Sequence, residues 1–190
     1  MTAEKNKIYV YDDVFNSHYT QKFYEFVNNS YFRIGTNDSS CKDYEQRKNF
    51  GSVFSREDLK KLGLLDALPK KIKNKFDLSY QTVTRTLVNA ITAYGLYHPH
   101  DDSGNKDVWS FLYYANMKWD LEWGADTLFL NDDRKSVRQH VQSLPNRVVI
   151  FDATIPHLIR PSTMHAPTFR YSINMTFGGN FNPVFEKPHV

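Results

Sequence analysis

The feature that most limits what this chain can fold into is a change of rhythm at Tyr80. Ahead of it, apolar residues recur at three- and four-residue spacing; after it, the chain breaks into short β-like runs divided by Gly, Asn, Asp and Pro. Runs near 82–92, 108–116, 126–130, 147–152, 157–161 and 169–177 read as strands. Helices first and many short strands afterwards imply an antiparallel sandwich or barrel buttressed on one side by helices. The 14 Phe, 12 Tyr and 3 Trp, 15% of the chain, agree, because aromatic side chains suit half-buried pleated surfaces.

In the first part, Ile8 to Val14 begins as a β-rich run and breaks at Asp12-Asp13, which predicts a short strand. Tyr19, Phe23, Phe26, Val27 and Tyr31 then fall on one face of a helix that starts at Asn16 or Ser17. Residues 35–49 are polar and turn-rich and read as a loop that could cover a site. Ser55-Arg-Glu-Asp58 resembles a capping box with Asp in place of Glu, ahead of Leu59, Leu62, Leu65 and Leu68, so a second helix is predicted over 56–68, stopped by Pro69. Lys70–Ser79 adds a further helical turn. At 190 residues the whole reads as one domain, with a helical part over about 1–79 and a β-barrel over about 80–178.

Composition narrows the partners. A formal charge of +3, from 24 basic and 21 acidic residues, is too weak for a nucleic-acid footprint. The cluster Lys60, Lys61, Lys70, Lys71, Lys73 and Lys75 reads as a solvated helical face. The lone Cys41 excludes an internal disulfide and a thiolate-rich zinc site. The N-terminus lacks a basic segment followed by an apolar one, and no apolar run approaches the roughly 18 residues of a membrane span. No membrane partner is expected, the cytoplasm is the expected compartment, and the oligomeric state is unknown.

Chemistry concentrates in His98-Pro-His-Asp-Asp102. Side chains two apart on an extended strand share a face, so His98 with His100, or His100 with Asp102, can reach one ion, and the local sequence does not choose between them. A third ligand is needed from a distant strand. The run Val148–Asp152 leads through a short turn to His157, and His-x-Asp with a remote His is the facial triad that leaves adjacent positions open for small molecules, as in non-haem Fe(II) oxygenases. His100, Asp102 and His157 are therefore the candidate metal ligands. Thirteen residues after His157, Arg170 sits in the β-like run Thr168–Asn174. Pointing inward beside the metal, its guanidinium would need an anionic partner, and a keto acid chelating the metal would offer its far carboxylate. Arg160, three residues after His157, is a competitor, but an odd offset along a strand should turn it away from the metal.

With these residues in view, the chain resembles the 2-oxoglutarate- and Fe(II)-dependent dioxygenase superfamily, and its prolyl 4-hydroxylase-like branch most. The likeness covers about 80–178: His100-x-Asp102; Phe111-Leu-Tyr-Tyr-Ala-Asn116 followed by Trp119; Trp123-Gly-Ala-Asp126-Thr-Leu-Phe129, similar to the family's Gly-Gly-Glu segment; His157 with Pro161; and Arg170-Tyr-Ser172. Ala125 and Asp126 stand where that segment carries its second Gly and its Glu. The resemblance implies a double-stranded β-helix, a jelly-roll barrel buttressed by helices. It implies Fe(II) at the triad, 2-oxoglutarate and O2 as cosubstrates, and Tyr114 and Asn89 joining Arg170 in holding 2-oxoglutarate. His98 and Trp123 are read as standing behind the ligands or against substrate.

The activity implied is hydroxylation of a C–H bond with release of succinate and CO2. The substrate would be a peptidyl proline or an amino acid, within a wider field of peptides, proteins and small molecules. Asp102 argues against a halogenating variant, and Thr176 stands where the nucleobase-demethylating relatives carry a second Arg. Two other readings are a cupin-like metal-dependent hydrolase or isomerase, which has no need of Arg170 or Tyr114, and a non-catalytic ligand-binding barrel, which takes up no stoichiometric Fe(II).

Overall fold

The computed structural model of the protein describes residues 3–34, 50–95 and 97–179. Strand β1 (Ile8–Tyr11) ends where Asp12 and Asp13 leave the extended region, Asp13 at φ 49°. Helix α1 (Ser17–Asn28) is capped by Asn16, whose side-chain oxygen accepts from the Tyr19 N–H at 3.1 Å. Phe23 and Val27 face inward as the spacing requires, but Tyr31 lies past the helix and is 93% exposed. The amide of Asn29 binds the Glu25 carbonyl with its side chain and stops the helix one turn earlier than the pattern predicts.

Strands β2 (Arg33–Ile34) and β3 (Phe50–Val53) pair with each other, so the predicted loop over 35–49, with Cys41, connects two strands and itself lies outside the described residues. The single helix expected over 56–68 is two: α2 (Arg56–Leu62) and α3 (Leu64–Ala67). Gly63 separates them in the left-handed region at φ 73°, where its N–H closes α2 on the Leu59 and Lys60 carbonyls. The capping box at the start of α2 is present: Ser55 Oγ accepts from the Asp58 N–H at 3.1 Å, and Asp58 accepts from the Ser55 N–H at 3.0 Å. Pro69 opens α4 (Lys70–Phe76), and Lys60, Lys61, Lys70 and Lys71 are exposed on these short helices.

The C-terminal half carries β4 (Val83–Ile91), β5 (Val108–Tyr114), β6 (Thr127–Leu130), β7 (Val137–Val141), β8 (Val148–Asp152), β9 (His157–Ile159) and β10 (Arg170–Gly178). Of these, β7 has no counterpart among the predicted strands, because it is a largely exposed edge whose Arg138, Gln139 and His140 hide its β character. The strands form two antiparallel sheets, β1-β8-β5-β10-β4-β3-β2 and β7-β6-β9, the double-stranded β-helix that the resemblance implies. Three strands of the larger sheet come from the N-terminal part.

Alternation along the larger sheet sorts its side chains. Val88, Ala90, Phe111, Tyr113, Val148, Ile150, Tyr171, Ile173 and Met175 join the helical leucines, Phe23 and Val27 in one apolar cluster on the outer face. Leu112, Tyr114, Val149 and Phe151 on the inner face meet Phe129 and Val141 of the smaller sheet. Every residue of β5 is buried, since it is covered on both faces.

The helical cover hangs in part on the cap of α2. Ser55→Ala should cost about 1 kcal/mol and lower the thermal midpoint by about 2–4 °C, read by calorimetry, with no change in metal uptake.

Candidate active site

The segment carrying His98-Pro-His-Asp-Asp102 is held to the turn between β8 and β9 by backbone hydrogen bonds. His100 and His157 exchange both N–H···O bonds at 2.9 Å, and the Asp102 and Ser103 amides donate to the Ala153 carbonyl at 3.0 and 3.1 Å. This brings His100, Asp102 and His157 together, with candidate ligand atoms all within 4.8 Å of one another. His157 Nε2 is 3.8 Å from Asp102 Oδ2, and His100 Nε2 is 4.0 Å from Asp102 Oδ1.

Both imidazoles are oriented from behind. His100 Nδ1 lies 2.9 Å from the His98 carbonyl and His157 Nδ1 lies 3.1 Å from the Ile155 carbonyl. A carbonyl only accepts, so each Nδ1 carries the proton and each Nε2 presents its lone pair to the cluster. Ser110 Oγ donates to Asp102 Oδ2 at 2.6 Å. Burial pushes the Asp102 carboxyl up, but His157, His100, Ser110 and Arg85 outweigh it and hold the group below its ordinary value. Burial pushes His157 down, partly opposed by Asp102, which favours the neutral ring that a metal requires. Two neutral imidazoles and one carboxylate on one side of an open space suit a divalent first-row metal.

Beside the cluster lies a cavity of about 130 Å³ between the two sheets. Asn89 lines it, with Tyr97, Thr127, Ile159 and Asn174. Beside the lining residue Ile91, at the start of β10, Arg170 is fully buried, and none of its three guanidinium nitrogens has a hydrogen-bond partner among the described residues. Its carbon lies 5.1 Å from the centre of the Tyr114 ring, and Tyr114 Oη donates to Thr127 Oγ1 at 2.9 Å. Burial is the largest influence on Arg170 and lowers its pKa, with Tyr114, Tyr97 and Asp126 opposing. A guanidinium does not escape by losing its proton, so it sits as a desolvated cation awaiting an anion. Arg160 is exposed.

Four predicted positions are not part of the cavity lining: Arg170 and Tyr114, which adjoin it through Ile91 and Thr127, and Trp123 and His98. Trp123 stands edge-on to Trp119 with its centroid 5.3 Å away, in an apolar cluster that includes the wall residues Ile91, Tyr97 and Ile159, and does not itself line the cavity. His98 contributes its carbonyl to orient His100, while its own Nε2 is buried without a partner among the described residues. The altered Gly-Gly-Glu segment is accounted for locally: Ala125 takes the left-handed conformation, φ 60°, that glycine would adopt more cheaply. Asp126 accepts from the Ser143 N–H at 3.2 Å and pairs with His140 Nε2 at 2.8 Å, tying β6 to its neighbours outside the cavity. Ser110, Thr127, Tyr97 and Arg85 are cavity residues that sequence reasoning missed. Inward alternation along the strands would have found Ser110 and Arg85; Tyr97, in an irregular segment, gave no periodic signal.

With this geometry in place, comparison with known proteins becomes informative. The family model of the 2OG-Fe(II) oxygenase superfamily matches residues 87–178. Over those residues the chain is similar to the 2-oxoglutarate- and Fe(II)-dependent oxygenase superfamily. It is a dioxygenase that uses Fe(II), with 2-oxoglutarate and O2 as cosubstrates, and Arg170 and the His-Asp-His cluster fit those groups. Among curated proteins no sequence matches. Of solved structures, a prolyl hydroxylase from Trichoplax adhaerens, in complex with a hypoxia inducible factor oxygen degradation domain peptide fragment, is similar with a TM-score of 0.64 at 18% identity, over 91% of this chain and 84% of that one. A Pseudomonas putida prolyl-4-hydroxylase gives 0.65 at 12% identity, over 90% and 92%. HygX from Streptomyces hygroscopicus, with nickel, 2-oxoglutarate and hygromycin B bound, gives 0.61 at 12% identity, over 92% and 83%.

The unpaired guanidinium makes a stability prediction. Arg170→Met keeps the length and removes the desolvated charge, so the ligand-free protein should gain on the order of 1–3 kcal/mol in denaturant unfolding. A loss of similar size would show that the charge has a structural partner.

Proposed function

We propose that His100, Asp102 and His157 hold the Fe(II), that Arg170 and Tyr114 receive the far carboxylate of 2-oxoglutarate, and that the reaction hydroxylates a C–H bond. The observation that carries this reading is the fully buried Arg170, with no partner for any guanidinium nitrogen among the described residues, in one fold with a two-histidine, one-carboxylate cluster. A water-activating hydrolase has no use for such a charge. The bound Fe(II) and keto acid supply the oxidising chemistry: one oxygen atom of O2 goes to the substrate carbon and the other to 2-oxoglutarate, which leaves as succinate and CO2.

The protein's own residues bind, orient and exclude. The His98 and Ile155 carbonyls fix the tautomers of His100 and His157, so both lone pairs face the metal position without rearrangement. Ser110 occupies one Asp102 oxygen with its hydroxyl proton, which orients the carboxylate. Arg170 offers a planar fork to the carboxylate, and Tyr114, whose hydroxyl can turn from Thr127, adds a donor. Asn89 and Tyr97 offer further polar atoms along the wall, while Leu87, Ile91, Leu112 and Phe151 keep it dry.

For the substrate we propose an amino acid, or a proline within a peptide. The peptide-bound T. adhaerens structure supports the second form, and the small cavity supports the first.

Anaerobic addition of 2-oxoglutarate to the Fe(II) protein should produce a weak visible charge-transfer band. His100→Ala should abolish it, and Arg170→Ala should require about 10- to 100-fold more keto acid to develop it. Metal uptake without a band would overturn the cosubstrate assignment, and an undiminished band in His100→Ala would overturn the ligand set.

A further inference from the structure

The cavity face of the larger sheet carries a second arginine, at the end opposite Arg170. In the register of β4 against β10, Arg170 lies beside Ile91 and Thr176 beside Arg85. Alternation gives Arg85, Leu87, Asn89 and Ile91 one face of β4, and all four line the cavity. The ends are six positions apart along the strand, about 20 Å at the usual rise. Arg85 therefore belongs to a different row from Arg170. Its row continues across the sheet through Thr176, Ser110 and Phe151. Ser110 is the residue whose hydroxyl holds Asp102. Two strand spacings, about 10 Å, separate the backbones of Arg85 and Ser110, and an extended arginine side chain covers much of that distance toward the metal cluster.

The other charged groups of the lining are occupied. Asp101 pairs with Arg134 at 2.7 Å, and Asp102 is engaged by Ser110 and the two histidines. Arg85 is half-buried, and among the described residues its side chain makes no hydrogen bond and no ion pair, its charge being felt at Asp102 only from a distance. Asn174 and Thr176 line the wall beside it as neutral hydrogen-bonding groups. A bidentate fork, neutral polar neighbours and the metal cluster nearby form a seat for a carboxylate held short of the reacting centre. The interior of a polypeptide has no main-chain anion to offer such a seat; a free amino acid carries one on the same carbon that bears its oxidisable side chain.

Resting on the dioxygenase reading above, we propose that Arg85 anchors the primary substrate by its carboxylate, and that this substrate is a free amino acid. 2-Oxoglutarate and substrate then enter with their carboxylates at opposite ends of one sheet face, and the substrate's side-chain carbons are directed to the metal between them.

The test uses the full chain loaded with Zn(II), which holds the site without turnover. 2-Oxoglutarate is titrated first by calorimetry; if it does not bind, the dioxygenase reading fails before the substrate is addressed. Each of the twenty standard L-amino acids and its primary amide is then titrated into the loaded protein. At least one acid should bind, with its amide about tenfold weaker or worse. Arg85→Gln should reduce that acid-to-amide preference to within about twofold while 2-oxoglutarate binding changes by less than about twofold, and Arg85→Lys should restore part of the preference. Absence of binding by every amino acid, equal binding of acid and amide, or an unchanged preference in Arg85→Gln would each overturn the proposal. So would a loss confined to 2-oxoglutarate, which would make Arg85 a cosubstrate residue.

Discussion

The structure depends on two strands, β5 and β10, that have almost no face left for water. Their outer side chains lie under the helices and their inner ones face the smaller sheet, so anything polar on the inner side is desolvated by construction. In such a place a charge is tolerated only where a partner arrives from elsewhere in the chain or from solution. Asp102 and Asp126 find partners in the chain; Arg170 has none among the described residues. The same burial that makes the sheet cohesive makes the arginine demand an anion.

Position along the sheet then assigns the tasks. Residues at the Arg170 end are enclosed and aromatic, while those at the Ser110 end are bordered by His100, Asp102 and Arg85. The orienting contacts of the metal cluster come almost wholly from the backbone, through the His98, Ile155 and Ala153 carbonyls. That makes the geometry robust to side-chain change in the surrounding loops, because no second side chain has to be correct for either imidazole to point inward.

Much of this was legible in the sequence, for definite reasons. The long inner strands carry β-rich runs over the whole of their length, so β4, β5, β8 and β10 were found nearly to the residue, as were Asn16 and the Ser55 capping box. The clustering of His100, Asp102 and His157 was legible because His-x-Asp and a distant His are donors that one ion could share. What stayed hidden had less local signal. The edge strand β7 is charged, and β2 and β3 are too short to show a period. Gly63 breaks a helix whose leucines remain in phase across the break, so periodicity alone ran through it. Tyr97 and Trp123 exchange the importance their chemistry suggested, since only the folded chain shows which aromatic ring borders the cavity.

The reciprocal backbone bonds between His100 and His157 carry one more consequence. The backbones that carry the two imidazoles belong to a single hydrogen-bonded unit, so their separation is kept while that unit is closed. Loss of that separation requires local opening of the chain, which hydrogen exchange reports at the His100 and His157 amides. The spacing of the two rings is in that sense a property of two peptide groups.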